Sequence, residues 1–146
     1  MQNKTFLIAA HGIYHAPYLV TELKNRGDLF AVISDRKKTC PNDCQKYLKL
    51  SYIALILTVF RAIIPKKLAV VRRLFGLVSK IFFDLDVAIR IIFYNKILKI
   101  DFDIICWDGS CKLLVIVSNK LGIVTHLNRS SIHPDSQIKQ EQKSGL

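Results

Sequence analysis

Acidic side chains are scarce in this chain of 146 residues. Eleven Asp and Glu stand against 22 Lys and Arg, for a formal charge of +11. An imbalance of that size implies attraction to something anionic: a phospholipid surface, a nucleic acid or a phosphorylated ligand. Long uncharged runs are missing too. The stretch from Leu50 to Phe60 falls well short of the ~20 apolar residues that a bilayer-spanning helix needs. The amino terminus, MQNKTFLIAAHG, has one Lys and too short an apolar run before His11 for the core of a signal peptide. The first turn, AAHGIYHA, has a single Gly and no G-x-G-x-x-G, so a pyrophosphate lacks its usual cradle. That weighs against a dinucleotide-binding module. The four cysteines, Cys40, Cys44, Cys106 and Cys111, are spaced C-x3-C and C-x4-C. Neither spacing forms a zinc knuckle, so no metal is expected and free thiols in a reducing cytosol are. There are no internal repeats and no low-complexity stretch.

What is present is apolar and ordered. Hydrophobic residues make up 51% of the chain, which argues against disorder, and the length suits one domain with a real core. Thr5 to Ala10 is a continuous apolar run closed by Gly12, as expected of a strand covered on both faces. APYLVTELKNRG reads as a helix with Leu19, Val20 and Leu23 on its apolar face and Gly27 as its stop. LFAVIS is a second strand, ended by Asp35, and strand–helix–strand with short links implies a parallel sheet. After the polar, turn-rich DRKKTCPNDCQKY, a helix is expected from about Leu48 to Ala62. DFDIICW and IVTHLN return to strand. Between them lies a helix with Asp108 or Ser110 as its N-cap and Gly122 as its stop. The expected class is α/β, a Rossmann-like parallel sheet with flanking helices. It occupies residues 1–137, and a polar tail follows at 138–146.

The charge is concentrated. From Arg61 to Lys99 there are nine basic residues and two acids, Asp84 and Asp86, interleaved with Leu, Ile, Val and Phe. Basic residues mixed with aliphatic ones suit a membrane surface better than a nucleic-acid groove. A long amphipathic helix is expected from Pro65 to Asn95. Val71, Leu74, Phe75, Val78, Ile81, Phe82, Leu85, Ile89 and Ile92 form its apolar stripe, and Arg73, Gly76, Lys80 and Asp84 the opposite one. The apolar stripe is expected to cover the sheet. Arg72, Arg73 and Lys80 form a basic rim able to meet anionic lipid at up to ~1 kcal/mol each.

In parallel α/β sheets ligands sit beyond the carboxyl ends of the strands. Two polar clusters fall there: HGIYHA after the first strand, and THLNRSSIHPDSQ as the last strand ends. Gly12 permits close backbone approach or simply a tight turn, and His15 starts a helix or touches a ligand. Arg129, Ser131 and His133 supply phosphate-binding and directional polar groups, or form an exposed loop before Pro134. Trp107 and Asp108 line the cleft, or Trp107 packs in the core. His126, inside the strand, reads as structural.

These clusters resemble the amino-terminal half of retaining glycosyltransferases of family 4, which have the GT-B fold. GIYHAPYLVTEL keeps Gly12, His15, Ala16, Leu19 and Leu23 of that family's first turn. DIICWDGS keeps Asp103, Ile104, Trp107 and Gly109, and SNKLGI matches the segment before the next strand. NRSSIHPDSQ keeps Arg129, Ser131, His133 and Gln137. Departures are Cys106 for the usual His, Asn128 for an acid, Ser130 for a Gly and Ile132 for a Ser. The match runs in order through most of residues 5 to 137.

The resemblance implies an acceptor-side domain for moving a sugar from a nucleotide-sugar donor to a hydroxyl, on a free or lipid-linked acceptor. The donor is a substrate, and no cofactor or metal is implied. Gly12, His15, Trp107, Asp108, Arg129, Ser131 and His133 are the expected acceptor-site residues, with no catalytic residue assigned. A GT-B enzyme needs a second Rossmann-like domain for the donor, and 146 residues hold only one. The expectation is a truncated or split enzyme, inactive alone, whose other half is a separate chain. It is expected in the cytoplasm, peripheral at the inner face of the plasma membrane. The competing expectation is a basic module that binds a membrane or a partner chain without sugar chemistry. Nucleic acid is not an expected partner.

Overall fold

The computed structural model describes residues 4–12, 15–107 and 111–128. Asp108, Gly109, Ser110, Arg129, Ser131, His133, Gln137 and the 138–146 tail lie outside them.

Among the described residues five parallel strands form one sheet in the order β3-β2-β1-β4-β5, so the architecture is α/β and Rossmann-like. The strands are β1 (Phe6–Ala10), β2 (Leu29–Ser34), β3 (Leu48–Leu50), β4 (Asp103–Trp107) and β5 (Thr125–Asn128). β1 has both faces covered, and its side chains divide by alternation. Leu7 and Ala9 join Ile33, Phe83, Val87, Ile91 and Ile104 on one side. Ile8 and Ala10 join Ala16, Val20, Leu23, Val32 and Trp107 on the other. Helix α1 (Ala16–Arg26) covers the second side. It ends at Gly27, whose φ of +77° lets its N–H reach back to the last turn.

The connection from β3 to β4 carries the chain from one edge of the sheet past β1 to its other neighbour. It consists of α2 (Tyr52–Ile63) and α3 (Ala69–Ile92), packed on each other, then one π-helical turn at Phe93–Ile97. Helix α4 (Lys112–Leu121) then leads to β5. Two sequence expectations change here. Residues 48–50 belong to a strand, in register with Val32–Ser34, and the helix starts only at Tyr52. The expected Pro65–Asn95 helix starts at Ala69, with its last turn widened to π geometry.

The larger correction concerns which way α3 faces. Its buried residues are Gly76, Ser79, Phe83, Asp84, Val87, Ala88 and Ile91. Most of the stripe expected to cover the sheet points to solvent. Of its nine residues Val71, Leu74, Ile81, Phe82, Leu85, Ile89 and Ile92 are exposed, and Val70 at 80% and Leu77 at 58% extend the same outward surface. Gly76 and Asp84, placed on the outer stripe by the sequence, are inside. The inner face mixes Gly76, Ser79 and Ala88 with Phe83, Val87 and Ile91, which join the core with β1 and β4, and most of the helix's other aliphatic residues are left outward.

Among the described residues β5 is an edge strand, and His126 and Leu127 are exposed. His126 sits 3.7 Å from Asp103, which also accepts from Lys4 at 3.2 Å. Both contacts lie toward the amino ends of β4 and β5, away from the strand ends where a ligand would bind.

Candidate functional site at the carboxyl ends of the central strands

In this strand order the chain winds one way through β2 and β3 and the other way through β4 and β5. The crevice between β1 and β4 is therefore the topological switch point. Gly12 and His15 follow β1, Trp107 ends β4, and Asn128 ends β5 in register with Trp107. Gly12 has φ +107°, a backbone state that favours glycine. Its N–H donates to Asp35 Oδ1 at 2.7 Å, and its carbonyl accepts from Thr39 Oγ1 at 3.1 Å. Ser34 braces Thr39 at 2.7 Å. The turn after β1 is thus held at both of its backbone polar groups. His15 starts α1 and is exposed. Trp107 is only 2% exposed and packs as a core aromatic on the α1 side.

Behind the turn lies a buried polar cluster that the sequence reading did not assemble. Asp35 is fully buried. Besides the Gly12 N–H it accepts from Thr58 of α2 at 3.2 Å, and it lies 3.8 Å from both His11 Nε2 and Arg36 Nε. His11 Nε2 is 3.1 Å from Ser79 Oγ of α3, and the Ser79 hydroxyl donates to the Ala54 carbonyl at 3.0 Å. With that proton committed, the imidazole Nε2 must carry the hydrogen. The ring also meets Phe83 edge-on. Two signals were visible in sequence: His11 and Asp35 each terminate a strand. Thr58 and Ser79 gave none, because they arrive from helices far along the chain.

Burial holds the His11 pKa below its ordinary value. The Asp35 carboxylate opposes that shift, and Lys80 and Arg36 reinforce it. The folded state therefore binds fewer protons than the unfolded chain just below the free imidazole pKa of about 6.5. Stability should be full above that value and should fall with pH through the window beneath it. His11→Gln should flatten the decline in thermal midpoint between about pH 7 and about pH 5. A variant slope equal to the wild-type slope would remove His11 as the cause.

The expected membrane-facing cations separate. Arg73 is exposed. Lys80 stands near His11 and borders a groove between α3 and α4. Arg72 borders a larger cleft, of about 760 Å³, with Arg36, Lys37, Lys38 and Arg61. All four cysteines are buried, and burial pushes the Cys40 thiol up to about 11, away from thiolate reactivity. Among the described residues no three His, Cys, Asp or Glu come together to hold a metal. No described helix is long and apolar enough to cross a membrane. No family model, curated protein or solved structure matches the chain.

Proposed function

We propose that the chain is the acceptor-side domain of a glycosyltransferase that works docked on an anionic membrane surface. The observation that carries the docking is the outward face of α2 and α3. On α2, Ile53, Ile56, Phe60 and Ile63 are exposed at helical spacing, beside the stripe of α3. Contiguous apolar surface on this scale marks an interaction site. The basic residues of the same segment select an anionic partner, because both acids among them are occupied internally. Asp86 accepts from Arg90 at 2.9 Å, and Asp84 is bound to the start of α4.

Magnitudes rank the two contributions. A half-exposed Leu or Ile gains about 1 kcal/mol on entering hydrocarbon, and roughly ten such side chains outweigh a few cations at about 1 kcal/mol each. Insertion of the apolar face dominates, and charge chooses the leaflet. The inner face of the plasma membrane, rich in anionic lipid, fits this reading.

The sugar-transfer part is supported by the family resemblance and by where the fold carries the resembling segments. Gly12, His15 and Trp107 all lie at the carboxyl edge of the sheet, His15 exposed there and Trp107 packed in the core. In this reading the acceptor hydroxyl is presented there. The nucleotide-sugar donor, a substrate and not a cofactor, is held by a second Rossmann-like unit.

Two measurements test the two parts. In flotation, vesicles of equimolar phosphatidylcholine and phosphatidylglycerol should carry the protein, and pure phosphatidylcholine should carry less. Binding should partly survive a rise from about 0.1 M to about 1 M salt, which cuts the Debye length from about 10 Å to about 3 Å. Loss of all binding at high salt would contradict apolar insertion. In saturation-transfer NMR, oligosaccharides should receive signal from the chain and free nucleotide sugars should not. Signal on NAD and none on oligosaccharide would replace the acceptor reading with dinucleotide binding. Vesicle binding with no saccharide signal would leave a membrane module alone.

A further inference from the structure

The cleft beside the polar cluster collects cations from three separate parts of the chain. Arg36, Lys37 and Lys38 come from the β2–β3 connection, Arg61 from α2 and Arg72 from α3. No carboxylate among the described residues lines it. Among the described residues, none of Lys37, Lys38, Arg61 and Arg72 is in a salt bridge. Asp35, which precedes Arg36 in the chain, is fully buried and bound by Thr58, itself part of the cleft wall. Unpaired like charges held in one concavity repel one another and raise the local potential until an anion enters. Its volume of about 760 Å³ falls within the range of small-molecule sites.

Arg61 has a built-in place. Its guanidinium crosses α3 where Gly76 has no side chain. A Cβ there would meet Arg61 Nη1 at 3.1 Å. A side chain at this position in the middle of α3 would crowd the guanidinium. The rest of the lining comes from α2, with Leu55, Val59 and Ala62 apolar and Thr58 polar. Val59 is half exposed, and the apolar lining continues onto the outward face of the hairpin.

We propose that this cleft binds a phosphate or diphosphate group carried by an amphiphile, whose apolar part runs along α2 into the membrane-facing surface. A carboxylate supplies one negative charge against four unpaired cations, whereas a diphosphate supplies several, and guanidinium forks match its oxygens in pairs. The apolar lining separates this ligand from a nucleic acid. The proposal rests on the membrane-docked reading and extends it to the lipid that is held.

Calorimetric titration in bilayer-free solution tests it. The probes are dihexanoyl phosphatidic acid below its micelle concentration, dihexanoyl phosphatidylcholine and inorganic pyrophosphate. Phosphatidic acid should bind tightest. The double variant R61Q/R72Q should weaken it about tenfold, because two charge-assisted contacts are lost. K67Q/R73Q removes the same charge from the same hairpin but outside the cleft, and should change affinity less than about twofold. Gly76→Ala shifts the Arg61 guanidinium by only a few tenths of an ångström and should weaken binding less than R61Q/R72Q does, with the helical circular dichroism intact. Equal losses from both double variants would overturn the cleft in favour of diffuse attraction. Equal affinity for pyrophosphate and phosphatidic acid would overturn the lipid as the source of the phosphate. Since no bilayer is present, failure here is separate from failure in flotation.

Discussion

Replacing Leu77 and Ile81 together by glutamate is expected to abolish recovery of the protein with anionic vesicles while leaving its fold intact. Both side chains are more than half exposed on the outward stripe of α3, so neither substitution removes core packing. Each removes about 1 kcal/mol of insertion and adds a carboxylate that must be desolvated or protonated to enter the interface. Together they should cost at least about 3 kcal/mol of membrane affinity, roughly a hundredfold. Flotation gives the affinity, and a thermal melt in buffer gives the fold. A melt within about 2 °C of wild type, with vesicle binding lost, supports docking through this face. Unchanged binding would mean that the stripe serves something other than lipid.

Asp84→Ala should produce a large loss of stability for the removal of a single buried polar side chain. Asp84 is buried on α3, and its two oxygens accept from the Leu113 and Leu114 amides at 2.7 and 2.8 Å. Those are the second and third residues of α4, where a capping side chain normally acts, and Cys111 at the N-cap supplies no side-chain capping bond. The carboxylate therefore caps a neighbouring helix, favourably placed at the positive end of its dipole. Alanine leaves two amides without their acceptor and unties α3 from α4. The expected cost is about 2–3 kcal/mol in urea unfolding, with the denaturant slope unchanged. The milder Asp84→Asn change retains one acceptor oxygen and should fall between. A loss below about 0.5 kcal/mol from the alanine variant would show that water replaces the cap.

Much of this architecture is legible in the residues. Apolar runs closed by glycine locate β1 and α4, and the strand–helix–strand spacing makes the sheet parallel. β3 is missed because three residues, LKL, carry too little alternation to stand out from the helix that follows. The orientation of α3 is misread for a more general reason. Periodicity assigns the most apolar stripe to the core, and here the core side includes Gly76, Ser79, Ala88 and Asp84, suited to closeness and capping. A helix with a second apolar environment outside it breaks that assumption. The candidate site is legible by halves. Strand ends reveal His11, Gly12 and Asp35, while Thr58, Ser79 and Arg61 reach the site only through tertiary packing.

The long connection between β3 and β4 also orders events in time. β1 is the middle strand, yet one of its two partners is made early and the other late, since Phe6 aligns with Leu29 on one side and Asp103 on the other. During synthesis α2 and α3 leave the ribosome before β4 exists to complete the sheet. Pairings this distant in sequence close slowly. In that interval the hairpin's apolar surface is already present with no finished sheet beneath it. A nearby bilayer would shelter that surface while the sheet closes, whereas a chain maturing in bulk water would spend the same interval open to aggregation.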